Sequence, residues 1–256
     1  MKFTLSNLDF LLLLFVRVTG FIYTAPFFSL KNVPQKVKVG LSGMLAIVLY
    51  SVVPGGSMHY ASTVEMILLI AKEAACGAII GYFANIAYYI LSMAGHLMDT
   101  EIGFSMVSTF DPVTNIQVTI TSNLYTYLVM LVMMISDLHH YIIKAFVDSY
   151  TIVPVGKVVI NGELYKVAVQ FIVDYFIIAF RIVLPVFAAI LVVNVVLGVL
   201  AKVAPQMNMF VIGMQLKVFV GLIVLYFVIQ MVPAVGDFIF NEMLEMMKKA
   251  IYTMAG

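Results

Sequence analysis

Residues 74–111 read AACGAIIGYFANIAYYILSMAGHLMDTEIGFSMVSTFD. From Ala74 to Met98 there is no Asp, Glu, Lys or Arg, a run longer than the ~20 residues a bilayer-spanning helix needs. Charge returns at Asp99 and Glu101, stops, and resumes only at Asp111. Water-facing loops ordinarily carry charges and turn residues, which satisfy exposed backbone. Uncharged, non-helical backbone at membrane depth is tolerated where protein buries it or where it lines a cavity. The tract Gly103, Phe104, Ser105, Met106, Val107, Ser108, Thr109 and Phe110 is therefore expected to be a pore element rather than a surface turn.

The rest of the chain has the same character. Of 256 residues, 63% are hydrophobic and 11% charged, and the mean hydropathy is +1.09, too apolar for a water-soluble globule. Further charge-free runs lie at Val39–Val64, Pro112–Ser136, Ile182–Ala201 and Val218–Gly236, and two apolar segments are interrupted by Arg17 or by Asp174 and Arg181. The expected fold class is an all-α integral membrane protein of about six or seven long helices. No cleavable leader is expected, since the first apolar run meets Arg17 without a small-residue cleavage pattern. The lone Cys76 reads as a packing residue. A net charge of +1 excludes nucleic acid as a partner, which needs clustered basic surface. Alternating the spans outward from Lys31, Lys36 and Lys38 leaves no basic excess on either side; several helices are therefore expected not to cross the bilayer simply.

Punctuation organises the chain further. Asn32 and Pro34 are expected to open a helix, as cap and first-turn proline, which Pro54, Gly55 and Gly56 close. Gly77, Gly81, Ala84, Ser92 and Gly95 fall at helical spacing, a small-residue face that lets a neighbouring helix approach closely. Asp111 and Pro112 read as a helix start. Asp137 to Lys166 reads as a mixed connection, broken at Pro154 with Gly156 and at Asn161 with Gly162. Beyond it the pattern is a helical hairpin, Tyr165–Ala201 and Lys217–Lys249. The uncharged stretch between Lys202 and Lys217, too short to span, forms its interfacial tip.

Catalysis finds no candidate: there is no phosphate loop, nucleophile elbow or paired-histidine metalloprotease motif, and no cofactor is implied. His139 and His140 are adjacent, so on a helix they point about 100° apart and do not share a metal as an i, i+4 pair does; no metal site is expected. Charges within apolar segments are costly and need partners. Asp174 and Arg181 share a helix face and are expected to form a buried pair. Arg17 has Asp9 two turns earlier, and Lys72 and Glu73 can satisfy groups on neighbouring helices. For each the favoured reading is a structural ion pair at a helix interface. Methionine contributes 18 residues, mostly as deformable filler, with Met106 the exception for its place in the uncharged tract.

Three stretches in order along the chain carry a resemblance: RVTGFIYTAPFFSLKNVPQKVKVGLS at Arg17–Ser42, GFSMVSTFDPVTNIQ at Gly103–Gln117 and APQMNMFVIGMQLKVFVGL at Ala204–Leu222. Together they resemble the FliR/SctT family of type III secretion export gates, over essentially the whole chain. Gly213 after the PQxNxF element, and the lack of a long C-terminal extension, favour the flagellar branch over the injectisome (SctT) branch. The resemblance implies a core subunit of the flagellar export gate in the bacterial inner membrane and flagellar basal body. Such a subunit assembles with FliP and FliQ, contacts FlhB and FlhA, and passes unfolded flagellar proteins across the membrane. It implies a FliP-like part at residues 1–164 and a FliQ-like helical hairpin at 165–256, in an assembly lifted substantially out of the bilayer plane. It also implies that Gly103–Phe110 is a pore plug, and that Pro205, Gln206, Asn208 and Phe210 form a partner-contact tip toward FlhB. Membrane lipid is a further expected partner. The readings weighed against this one are a secondary transporter for a small solute, which has two similar inverted halves, and an intramembrane enzyme. The two halves differ in length and polarity, and no catalytic pair is present in the sequence.

Overall fold

A computed structural model describes residues 5–30, 32–54, 60, 62–104, 119–160 and 162–255. Over these residues the protein is helical, with eight helices: α1 (Leu5–Thr24), α2 (Gln35–Val52), α3 (Thr63–Ile102), α4 (Ile120–Ile135), α5 (Leu138–Ile152), α6 (Glu163–Val203), α7 (Met209–Ile229) and α8 (Val232–Met254). Three of them, α3, α6 and α7, are long and apolar enough to cross a bilayer, and α4 with α5 makes a fourth candidate as a broken span. The all-α membrane class read from hydropathy is thus the observed one.

The helix count exceeds the expected six or seven because two apolar runs are interrupted. Asp137 adopts a left-handed conformation with φ 56°, which ends α4 and turns the presumed connection after it into a helix of its own. A second break at Gln230–Met231 precedes α8, whose second residue is Pro233; proline is tolerated in the first turn of a helix, whereas in the interior it removes a hydrogen bond and kinks or breaks the helix. By contrast Pro185 sits inside α6, which continues through it. Pro34 proves to be the N-cap of α2, one position earlier than the first-turn place expected, and no side chain caps that end. The hairpin tip is also shorter than expected: α6 runs to Val203 and α7 starts at Met209, leaving Ala204–Asn208. Absence of charge between Lys202 and Lys217 marked apolarity, which a helix accommodates as well as a turn.

With 40 and 41 residues, α3 and α6 each have a contour of about 60 Å at 1.5 Å per residue, twice the ~30 Å hydrocarbon core. Even a 40° tilt leaves part of each outside the hydrocarbon.

The chain forms two compact units that interleave along the sequence. The first comprises residues 1–88, 137–172 and 240–256, the second 89–136 and 173–239. Residues 1–164 and 165–256, the two parts implied by the resemblance, each contribute to both.

In the first unit α1 crosses α3 where side chains are missing. A Cβ on Gly77 would overlap the Arg17 carbonyl, one on Gly81 would meet Thr24 and the Phe21 carbonyl, and one on Gly20 would meet the Ala74 carbonyl. Close backbone approach of this kind supplies dispersion contact where lipid removes the hydrophobic drive. Thr24 Oγ1 lies 3.1 Å from the Ala78 carbonyl across the seam. Around it Leu13, Leu14, Val18, Ile22 and Ile80 are buried, and Phe21 stacks on Phe146 of α5 with centroids 4.1 Å apart.

That seam also holds the charges. Arg17, fully buried, gives its Nε and Nη2 to the two oxygens of Glu73, the latter at 3.0 Å. Its Nη1 donates to the Val153 carbonyl at 2.8 Å, and its guanidinium lies 4.5 Å from the Tyr150 ring centroid. Glu73 Oε1 also accepts the Gly156 backbone N–H at 2.7 Å. The partner of Arg17 is therefore Glu73, 56 positions along the chain, and not Asp9, whose Oδ2 accepts the Tyr60 hydroxyl at 2.9 Å. Lys72, one residue from Glu73 on the helix, is exposed.

Candidate functional site

The second unit carries both stretches singled out as functional. α3 ends at Ile102, and Gly103 takes φ 95°, a left-handed value that glycine reaches without a Cβ penalty. Its N–H donates to the Asp99 carbonyl at 3.1 Å, the usual closure of a glycine-terminated helix. Phe104 follows, half-buried. Ser105, Met106, Val107, Ser108, Thr109 and Phe110 lie outside the described residues, as do Asp111 and Pro112. The chain is described again from Thr119, immediately before α4.

The described residues define how the end of α3 meets the start of α4. Asp99 is buried and its two carboxylate oxygens lie 3.0 and 3.2 Å from the Thr121 backbone nitrogen. One of the unpartnered amides at the start of α4 is thereby satisfied, and a carboxylate there also complements the positive end of the helix. Ser122 Oγ lies 3.1 Å from Ser92 Oγ. A Cβ on Gly95 would collide with the Ser122 backbone, so glycine is what lets α4 begin flush against α3. Below this point Gly221 of α7 leaves room for the Ile102 side chain. The end of α3, the start of α4 and the middle of α7 thus form a packed platform.

Asp99 had registered in the sequence only as an acidic residue that upset the charge balance. The available signal was its position: a carboxylate one turn before a helix-ending glycine, in an otherwise apolar stretch. Replacing it tests the platform. Asp99→Ala is expected to cost about 1–3 kcal/mol by stranding the Thr121 N–H, read as faster amide exchange at Thr121 and Ser122 with α6 unaffected.

At the other candidate, Pro205, Gln206 and Asn208 are exposed between α6 and α7, and Phe210 is 59% exposed. Asn208 caps α7, its Oδ1 accepting the Phe210 N–H at 3.2 Å and the Val211 N–H at 3.4 Å. Gly213 receives the Leu197 side chain, 3.1 Å from where a Cβ would stand, so the two helices close tightly just behind the tip. Within this element Asn208 shapes the turn, while Met207 and Phe210 offer apolar surface outward.

The expected buried pair of Asp174 and Arg181 takes a different form. Arg181 is exposed and Asp174 half-buried, although Ile178, one turn from each on the same face of α6, is buried. Among the described residues, Arg17 and Glu73 form a buried ion pair. In the first unit, His139 and His140 have ring centroids 4.1 Å apart, and one ligand atom each from Asp137, His139 and His140 lies within 4.8 Å of the others. Adjacency on a helix therefore did not keep them apart, since they occupy the first turn after the break at Asp137. Asp137 and His140 are largely solvent-exposed.

Over the described residues this is a polytopic helical protein whose two longest helices exceed the thickness of a bilayer, which places it in the class of all-α integral membrane proteins. The sequence comparisons narrow the class: residues 8–243 match the family described as bacterial export proteins, family 1, and the chain belongs to that family. Among curated proteins it is 30% identical to the flagellar biosynthetic protein FliR of Bacillus subtilis, covering 94% of this chain and 93% of the relative. It is 24% identical to FliR of Escherichia coli, covering 92% and 90%, and 26% identical to FliR of Aquifex aeolicus, covering 84% and 83%.

Proposed function

We propose that this chain is a core, non-enzymatic subunit of the flagellar type III export gate in the bacterial inner membrane. With FliP-like and FliQ-like chains it forms a gated conduit for unfolded flagellar proteins, and it contacts FlhB and FlhA. The observation that carries this reading is an export-family match over nearly the whole chain, joined to an uncharged tract that follows the helix-ending Gly103. Residues 1–164 act as the FliP-like part and 165–256 as the FliQ-like hairpin. Gly103–Phe110 plugs the conduit: its small residues permit movement, and Phe104, Met106 and Phe110 exclude water and ions. Pro205, Gln206, Asn208 and Phe210 form the contact toward FlhB. The Asp174–Arg181 face of α6 meets a neighbouring subunit, where the exposed guanidinium finds a carboxylate. The long contours of α3 and α6 support an assembly that rises out of the bilayer plane.

Two measurements test it. Purified from membranes, the chain is expected to bring FliP-like and FliQ-like chains with it; recovery with injectisome chains instead would move it to the SctT branch, and recovery alone as a solute-binding monomer would replace the reading with a transporter. Deleting residues 103–110 is expected to raise ion conductance of the assembled complex in planar bilayers by an order of magnitude or more. Unchanged conductance removes the plug.

A further inference from the structure

Asp137, His139 and His140 converge at the start of α5, and all three belong to the first unit. The backbone that carries them is held in place. Ile142, on the next turn, is fully buried, the Tyr141 ring packs edge-on to Phe240 with centroids 6.1 Å apart, and the His140 N–H donates to the Asp137 carbonyl at 3.1 Å. With ligand atoms already within 4.8 Å of one another, side-chain rotation alone brings them onto a shared ion.

Two of these groups lack the partner their positions call for. Asp137 is the N-cap of α5, where a carboxylate ordinarily accepts an N–H of the first turn, yet its side chain makes no cap hydrogen bond. Its Oδ1 instead faces His140 Nδ1 at 3.6 Å. That is too long for a hydrogen bond and close to the ~3.4 Å that separates two ligands of a tetrahedral ion with bonds of about 2.1 Å. The Nδ1 of His139 is buried and has no hydrogen-bond partner among the described residues, a state that costs stability and that a metal ion relieves. Beside it lies the His140 ring, which is exposed and free to turn aside. Two imidazoles and a carboxylate suit zinc, cobalt, nickel or copper rather than magnesium or calcium. An exposed helix N-terminus disfavours a cation by about two- to five-fold, and the Asp137 carboxylate at the same end offsets this.

We propose that Asp137, His139 and His140 bind a divalent transition ion of the zinc class, with His139 Nδ1, one ring nitrogen of His140 and the Asp137 carboxylate as ligands and water in the open position. The ion closes the first turn of α5, where the side-chain cap is missing. Competing donors of this kind are few: the chain has 4 histidines in all, and its lone cysteine is buried. The inference does not depend on a role in an export gate.

Calorimetric titration of Zn²⁺ into the full chain, purified with whatever membrane partners it retains, tests the site. Wild type is expected to bind one ion per chain there, and His139→Gln and His140→Gln are each expected to weaken binding by about ten-fold or more. Asp137→Asn is expected to do the same without disturbing the turn, because asparagine also tolerates the left-handed backbone of position 137. Excess Mg²⁺ is expected not to compete, and His96→Gln, at an exposed histidine outside the cluster, to bind as wild type does. With Cu²⁺ as the probe, electron paramagnetic resonance is expected to show coupling to two imidazole nitrogens in wild type and to one in either histidine variant. Absence of saturable Zn²⁺ binding, wild-type affinity in any of the three cluster variants, loss of the site in His96→Gln, or coupling to a single nitrogen in wild type overturns the proposal. Each of these failures leaves copurification with FliP-like and FliQ-like chains, and so the gate reading, untouched.

Discussion

Arg17→Ala is expected to abolish recovery of folded protein, with a destabilisation of about 3–5 kcal/mol, the cost of leaving one member of a buried ion pair without the other. The alanine strands Glu73, which is 1% exposed and has only the Gly156 N–H left among the donors described above. It also leaves the Val153 carbonyl without the guanidinium and opens a space beside the Tyr150 ring. Glu73→Ala is expected to fail for the converse reason, a guanidinium in the seam with a carbonyl and an aromatic face but no counter-charge. The double variant R17M with E73L separates charge from topology. It removes both charges and refills the volume, which is often neutral at buried pairs, but it abandons the Val153 carbonyl and Gly156 N–H at about 1–3 kcal/mol each. The expected order of stability is wild type, double variant, single variants, measured by denaturant unfolding in detergent and by monodisperse yield. Single variants at least as stable as the double would show that the pair contributes nothing beyond its packing.

Gly77→Ala is expected to have the second largest effect, although it adds only one methyl group. That methyl falls on the Arg17 carbonyl of the facing helix. Backbone cannot rotate away as a side chain does, so α1 and α3 must separate along the seam that holds the ion pair. Overpacking costs about 1–3 kcal/mol where neighbours give way, and the upper end applies where the obstacle is main chain. Gly40→Ala is the internal control: it adds the same methyl to a helical glycine with open space above it, and is expected to be stabilising by about 0.5–1 kcal/mol from helix propensity alone. Thermal unfolding in detergent distinguishes the two directly. Equal effects at 77 and 40 would mean that the α1–α3 seam is looser than its geometry.

The small-residue face on α3 shows how far the sequence could be read. Spacing alone identified Gly77, Gly81 and Gly95 as one face made for close approach. The structure uses that face twice, Gly77 and Gly81 against α1 and Gly95 against the start of α4. Periodicity locates a face and is silent on what covers it. The hairpin tip shows a second limit. Its turn chemistry was visible in Pro205 and Asn208, yet its extent was overread, because hydropathy separates charged from uncharged residues and not helix from turn. The uncharged tract was legible as unusual, while the Asp99 and Gly95 contacts that join the end of α3 to the start of α4 were not, since each depends on residues more than twenty positions away meeting across two helices.

The sequence by itself determined that this chain is a multi-helix membrane protein and, through three ordered motifs, which export family it resembles. Hydropathy and motif order are properties of neighbouring residues, readable before any helix finds another. Only the tertiary structure decided which charges meet. Asp9 was the nearest carboxylate to Arg17 along its own helix, but helix packing, permitted by three glycines that bring two backbones together, delivered Glu73 instead. In a low-dielectric seam the partner is set by which helices can touch, and touching is a matter of three-dimensional fit.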